Sequence, residues 1–532
     1  ANTTGAQNTA VGHSALKTNT TCGNLTAVGY GALCANTTGT NDTAMGHASL
    51  DANTSGSDNV GFGTNTLGAN TSGGSNTAIG SCALQANTTA GCNTAVGLRA
   101  LLANTTGANN VAVGEGALKA NTTAGVNVAV GKSAMLVNTT GAENVAFGNS
   151  LEANTTGSYN TAVGRFALKS NTTANNNTAV GLCSLFTNIT GTANTALGTH
   201  ALKLNTTNEN TGIGYNALCA NTTGDDNVAV GAYALDANTT GASNISIGRG
   251  SLGANTTASN NVAVGDLALV ANTEGHSNVA IGHNSLATNT TADEHTAVGF
   301  CALNANTSGI RNTAVGRQAM KANTTGCCNV GVGSNALVSG TTGDFNTAVG
   351  GASMTATTTG NENTAVGACS LTALTSGAGN VAIGVCALFK NTDAGNNVAV
   401  GRLSLLCNVS GSNNTAVGDL SLEMNTGSNN TAVGNQTLEA NTTGACNAGF
   451  GFCAGHLMTT GTHNTAVGSY SLQSNTTASN NTAVGLCSLY ANTTGAQNTA
   501  VGHSALKTNT TCGNLTAVGY GALCANTTGT ND

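Results

Sequence analysis

The chain has 532 residues, no Pro, no Trp, 3% aromatic and 7% charged residues, 73 Gly and a net charge of −7. A globular enzyme carries about 25% charged residues, a disordered chain is charged or Pro-rich, and a nucleic-acid surface is basic. Composition argues against all three and leaves a repetitive, regularly packed architecture.

The first element is N-T-A-V-G at residues 8–12, and its closing Gly sets a clock. That Gly returns at 29, 46, 63, 80 and onward to Gly519, 31 times in all. The step is seventeen residues, except for three steps of sixteen: Gly148 to Gly164, Gly198 to Gly214 and Gly418 to Gly434. From Gly12 to Gly502 the pattern spans 490 residues. Residues 491–532 then repeat residues 1–42 at every position. The expected organisation is one continuous solenoid segment over 1–532, with a super-repeat at 1–490 and the start of the next at 491–532.

Written from its first Asn, the unit reads N-T-A-V-G-x-x-A-L-x-A-N-T-T-G-x-x, and its copies can be compared within the chain. Position 5 is Gly in every copy, which points to positive φ or to a site with no room for Cβ. Position 4 is always apolar, as in Val11, Met45, Phe62, Ile79 and Leu197. Position 2 is nearly always β-branched, which suits a strand, and position 3 is Ala, Gly or Ser. Position 9 is Leu or Met except at Gly455. Alternation puts 2 and 4 on one face of a strand and 3 on the other, and each coil is expected to bury the Val of position 4 with the Leu of position 9. A second short strand is expected to turn 9 and 11 inward and 8 and 10 away. The corners G-x-x and T-T-G-x-x read as turns. The fold class is therefore all-β, a parallel β-solenoid with two short strands per seventeen-residue coil. Repeats this short cannot hold two helices, and Gly, Asn and Thr are poor helix formers. One coil cannot bury its own core, so coils must stack.

Segments such as SNVAIGHNSLA (Ser277 to Ala287) resemble the head repeats of trimeric autotransporter adhesins. The longer N-T-A-V-G-x-x-A-L-x-x-N-T-T-G pattern is similar to repeat regions of viral and phage tail-fibre proteins. The adhesin resemblance implies a left-handed parallel β-roll in a homotrimer, on a cell or virion surface. A single-chain filament remains an alternative, because small residues at positions 3 and 8 also suit close turns within one chain.

Candidate sites follow from what recurs and what varies. Asn recurs at positions 1 and 12, and stacked amides can form a ladder from coil to coil. The rival reading is N-glycosylation, because N-T-T and N-T-S are acceptor sequons; Asn2, Asn36, Asn53 and Asn87 are examples. The two Thr of T-T-G are adjacent and should point to different sides, which weakens an ice-binding reading. Among 17 Cys, only Cys369 and Cys386 hold position 7 in consecutive coils. Their expected spacing is compatible with an inter-coil disulfide. The variable corner at positions 6 and 7 carries Tyr30, Phe166, Tyr215, Tyr233, Phe300, Phe452 and Tyr470, candidates for contacts with a glycan, a cell-surface ligand or a neighbouring chain. GHSAL (Gly12 to Leu16) lacks the second Gly of a nucleophile elbow. The His are not spaced as metal ligands. No catalytic residue, cofactor or metal is expected, and no apolar run reaches the about 18 residues of a membrane span. The expected function is a non-enzymatic extracellular fibre, with a viral or phage fibre shaft and an ice-binding solenoid as alternatives.

Overall fold

The computed structural model describes residues 2–527 and 529. It is a parallel β-solenoid of seventeen-residue coils, with thirty-one three-residue strands among the described residues, numbered in chain order from β1 (Thr9–Val11) to β31 (Thr516–Val518). The chain divides into two compact units, residues 1–261 and 262–532. In the first, each strand from β1 to β15 (Ile245–Ile247) lies parallel and in register with the next. In the second, the same holds from β16 (Val262–Val264) to β31. Like therefore pairs with like, as in Thr77↔Thr94, Ala78↔Ala95 and Ile79↔Val96.

Each coil has one strand, not the expected two. The strand is positions 2–4. Positions 5–12 instead form a string of turns, which the coil at residues 76–92 illustrates. Ala83 N–H donates to Gly80 C=O at 3.2 Å and Asn87 N–H to Leu84 C=O at 3.2 Å, both within the coil. The intervening N–H groups leave the coil: Cys82 donates to Thr64 C=O at 2.9 Å, Leu84 to Ala100 C=O at 3.0 Å and Ala86 to Leu102 C=O at 3.0 Å. This division of donors requires left-handed backbone at alternate residues, with φ of +58° at Cys82 and +52° at Leu84. A β-strand cannot contain such residues. The conformation recurs because every turn bonds to copies of itself above and below.

Sidedness also differs from expectation. The small residue at position 3 faces the interior: Ala78, Ala95 and Ala112 are fully buried. Positions 2 and 4 face outward, so Val and its equivalents are not core. Positions 8 and 9 both point inward, as Ala83 and Leu84 do, whereas 10 and 11 are half-buried. The interior of a coil is thus one Leu, small residues at 3, 8 and 15, and the two Asn. Size explains the inversion. Interior space beside the strand holds only a methyl group, which restricts position 3 to Ala, Gly or Ser, while position 4 ranges from Val to Phe because it meets no wall.

The two Asn form the amide ladders expected of them. Asn87 Nδ2 donates to Asn70 Oδ1 of the preceding coil at 2.8 Å and to Ala90 C=O at 3.0 Å. Asn76 Nδ2 donates to the same Ala90 carbonyl at 2.9 Å, and Asn76 N–H to Asn59 Oδ1 at 3.1 Å. Both amides are fully buried. Buried amides carry a desolvation cost unless bonded, and here each gains partners in its own coil and the preceding one. The short coils lose their residue in a corner. Gly148 is followed by one corner residue instead of two, and Asn425 Nδ2 reaches Gly427 C=O at 2.9 Å across a shortened N-T-G. Strand pairing beside them keeps register, as in Ala146↔Ala162 and Ala416↔Ala432.

Candidate functional site

The outward residues of positions 2 and 4 make the most continuous surface feature of each unit. In the first unit Phe62, Ile79, Phe147 and Leu197 are 41%, 41%, 42% and 47% exposed. In the second, Ile281, Ile383 and Phe450 continue the file at about the same exposure. Position 2 runs beside it as Thr, Val or Ile, with Ala at residue 448. Neither file contains a charged residue. Parallel in-register pairing spaces both files by one strand separation, about 4.8 Å. The result, within each unit, is a sheet face repeated coil after coil, with an apolar file at position 4 beside a file of Thr, Val and Ile at position 2. Its signal was present in the sequence, in the contrast between an invariably small position 3 and a position 4 free in size; constant apolarity was instead read as burial.

The expected corner contacts are exposed or half-buried, and the structure pairs them with one another. Tyr30 stacks between His13 at 5.2 Å and His47 at 5.3 Å. Tyr215 meets His200 and Tyr233, Phe300 stacks on His283, and Phe452 packs edge-on against Tyr470. Phe166 meets Phe186 at 6.3 Å, with Arg165 and Lys169 over its ring. Charges pair in the same way between equivalent positions of adjacent coils: Glu115 with Lys132 at 3.0 Å, Glu294 with Arg311 at 2.7 Å and Asp419 with Arg402 at 3.0 Å. Exposed pairs contribute little each, about 0–1 kcal/mol. Corner variety is therefore locally matched along the stack.

The four sequons all hold position 12 of the unit. Asn36, Asn53 and Asn87 are fully buried, and their Nδ2 atoms donate to Gly39, Gly56 and Ala90 carbonyls. A glycan on any of these nitrogens would displace that bond and occupy core volume, so a closed coil leaves no room for it. Asn2 Nδ2 makes the same bond, to Gly5 C=O at 2.7 Å, and its identical copy Asn492, with a coil on each side, is fully buried with Nδ2 donating to Gly495 C=O at 2.9 Å. Cys369 and Cys386 are half-buried and carry free thiols. The Cys386 thiol is pushed up, first by burial and then by Cys369 beside it.

Two titratable groups, neither singled out from sequence, replace Asn at position 1 of the ladder. Asp42 is fully buried; its Oδ1 accepts from Asn59 N–H at 2.8 Å and its Oδ2 from Asn53 Nδ2 at 3.2 Å. Burial pushes its pKa up to about 7. His295 is buried, its Nδ1 accepting from Asn312 N–H at 3.2 Å, and burial lowers its pKa to about 4. Among the described residues no three His, Cys, Asp or Glu side chains gather where they could hold a metal ion. Among the described residues no helix is long and apolar enough to cross a membrane. No protein-family model and no curated protein matches the chain.

Proposed function

We propose that this chain is a non-enzymatic structural repeat protein of an extracellular fibre, whose copies associate side by side through the apolar sheet face. The observation that carries the reading is the uncharged file of outward Val, Ile, Leu and Phe on a regularly spaced, in-register sheet. Contiguous exposed apolar surface beyond a few hundred Å² marks an interaction site. A second copy fits this face because its own files have the same coil spacing. Side chains of mixed size, Val beside Phe and Met, suit interdigitation with a protein neighbour. They disfavour a match to ice, which would need uniform ranks; Val60, Val111 and Val128 also interrupt the Thr file. The corner aromatics, already stacked on one another, offer a secondary edge for a glycan or cell-surface ligand.

The test is sedimentation of the full chain against a variant carrying Ile281→Lys, Val298→Lys and Val315→Lys. These outward positions tolerate Lys without touching the core, so the circular dichroism spectrum should be unchanged. The parent chain should associate with rising concentration and the variant should remain a single chain. Equal association of both, or a parent that stays single at every concentration, would overturn the reading.

A further inference from the structure

Several corner cations answer an acid one coil away: Lys132 meets Glu115 at 3.0 Å, Lys169 meets Glu152 at 3.9 Å and Arg311 meets Glu294 at 2.7 Å. Lys507 has no such answer. No Asp or Glu lies between Glu439 and Asp532 in the sequence, and among the described residues no carboxylate pairs with Lys507. What Lys507 borders instead is a groove within the second unit. Lys507 and Tyr490 hold position 10 of successive coils, and Cys487 and Tyr470 hold position 7 of the Tyr490 coil and of the one before it. These four side chains line an open cavity of about 430 Å³.

The groove exists because a small side chain, Cys487, stands between two large ones. Tyr470, Tyr490 and Cys487 are half-buried and Lys507 is exposed. The stack fixes the walls. Cys487 N–H donates to Ser469 C=O at 3.0 Å, and Ser474 N–H donates to Tyr490 C=O at 3.1 Å. Tyr470 is held from its other side by Phe452, edge-on at 5.2 Å. Walls ordered in advance reduce the entropy lost when a ligand enters.

We infer that the groove lined by Tyr470, Cys487, Tyr490 and Lys507 is a binding site for a carboxylate-bearing sugar, as in a uronic acid unit of a glycan. Lys507 supplies the cation for the carboxylate. The two Tyr supply ring surface for the C–H face of the sugar and phenol hydroxyls for its own hydroxyls. The volume falls within the range of small-molecule sites, about 300–1,000 Å³. The open mouth admits one unit of a longer glycan. A neutral sugar would leave Lys507 unanswered, and an inorganic anion would leave both rings unused. The inference rests on the glycan-contact edge of the proposed function and on nothing in the apolar sheet face, so sedimentation tests that face and the experiment below tests the groove, each without the other.

Cys487 carries a free thiol in the groove, so its alkylation reports occupancy. The full chain is treated with iodoacetamide at rising glucuronate concentration, and alkylation is read at each Cys by peptide mass mapping. Glucuronate should slow Cys487 several-fold and saturably. Cys369 and Cys386, at position 7 outside the groove, should react at an unchanged rate. Lys507→Ala should raise the glucuronate concentration for half-protection about tenfold, through loss of one charge-assisted bond, and Tyr490→Ala should also raise it. Position 10 is already Ala at Ala287, so both variants should keep the parent circular dichroism spectrum. Glucose and sulfate should protect only weakly. Equal protection by glucose would overturn the acidic class, and equal protection by sulfate would leave an unselective anion site in its place. A Cys487 that glucuronate never protects, or half-protection unchanged by Lys507→Ala, would overturn the site itself.

Discussion

Position 5 shows how one atom can fix a repeat. Gly299 has φ +137°, and a Cβ there would collide with the carbonyl group of Gly316 in the next coil, meeting its carbon at 2.6 Å. Both constraints act at once: the backbone lies where L-residues are strained, and the next coil leaves no space. Gly299→Val should therefore cost about 3 kcal/mol or more, lost as hydrogen-exchange protection in its own coil and the adjoining ones. Phe300→Ser next to it removes an exposed ring stacked on His283 at 5.6 Å and should cost below about 1 kcal/mol. Equal loss at both would mean that Gly is incidental. Asp42 and His295 occupy equivalent ladder positions with opposite consequences for pH. The folded coil keeps the Asp42 proton up to about 7, whereas the ordinary value of the side chain is 3.8. Between those values the folded state binds the proton that the unfolded chain has released, so stability falls as pH rises through this window. His295 stays neutral down to about 4 against an ordinary value of 6.5. Its contribution is intact above 6.5 and is lost as pH falls toward about 4. After correction for intrinsic exchange, β3 (Thr43–Met45) should be better protected at pH 5 than at pH 8, and β18 (Thr296–Val298) the reverse. A common direction at both strands would contradict the ladder geometry at one of them.

At the scale of the coil, the strand triplet and the ladders were legible because their signals are local and chemical. β-branched residues around a small one mark a strand, and amides recurring in register have few other fates inside a stack. The string of turns was not legible. Leu84 at φ +52° has no sequence signature, since αL is ordinarily the province of Gly and Asn. Its conformation is imposed from outside, by Leu84 N–H reaching Ala100 and Cys82 N–H reaching Thr64 in neighbouring coils. Stacking here overrides the preference of the single residue, which a reading of one repeat at a time does not register. Sidedness failed for a related reason. Apolarity at position 4 was equated with burial, although the interior is filled by Ala78, Leu84 and the two amides of the same coil. The short coils carry the same lesson. Residues are lost only where the chain turns, because removing one from a strand would exchange its inner and outer faces.

At the scale of the molecule, the ladders bear on whether the chain can carry N-glycans, and the acceptor sequons make this the sharpest conflict between sequence and fold. Position 12 supplies N-T-T or N-T-S in most coils, as at Asn104, Asn121, Asn238 and Asn441. The same residues are fully buried, and each Nδ2 donates to the carbonyl three residues on: Asn104 to Gly107, Asn121 to Ala124, Asn238 to Gly241 and Asn441 to Gly444, all at 2.9 Å. A sugar attached before the coil closed would remove that donor and hold the corner open. A sugar could not be attached afterward, because the nitrogen is out of reach. The effect would also spread wherever one position-12 amide feeds the next, as Asn121 does by donating to Asn104 Oδ1 at 2.9 Å. One occupied sequon therefore leaves its neighbour's acceptor unpaired in the core, a cost of about 1–3 kcal/mol per group. Stability in a stacked array is roughly a sum of coil and junction terms, so regular occupancy would unfold the array rather than decorate it. The folded protein secreted from a glycosylating host should then have an intact mass at the 51.6 kDa of the bare chain, or above it only by glycans at exposed sequons outside position 12, such as Asn24 (N-L-T), Asn41 (N-D-T) and Asn176 (N-N-T). Additions released by an N-glycosidase and mapped to the position-12 Asn, in protein that retains its β-sheet spectrum, would show that position 12 faces solvent and that the amide ladder is misplaced.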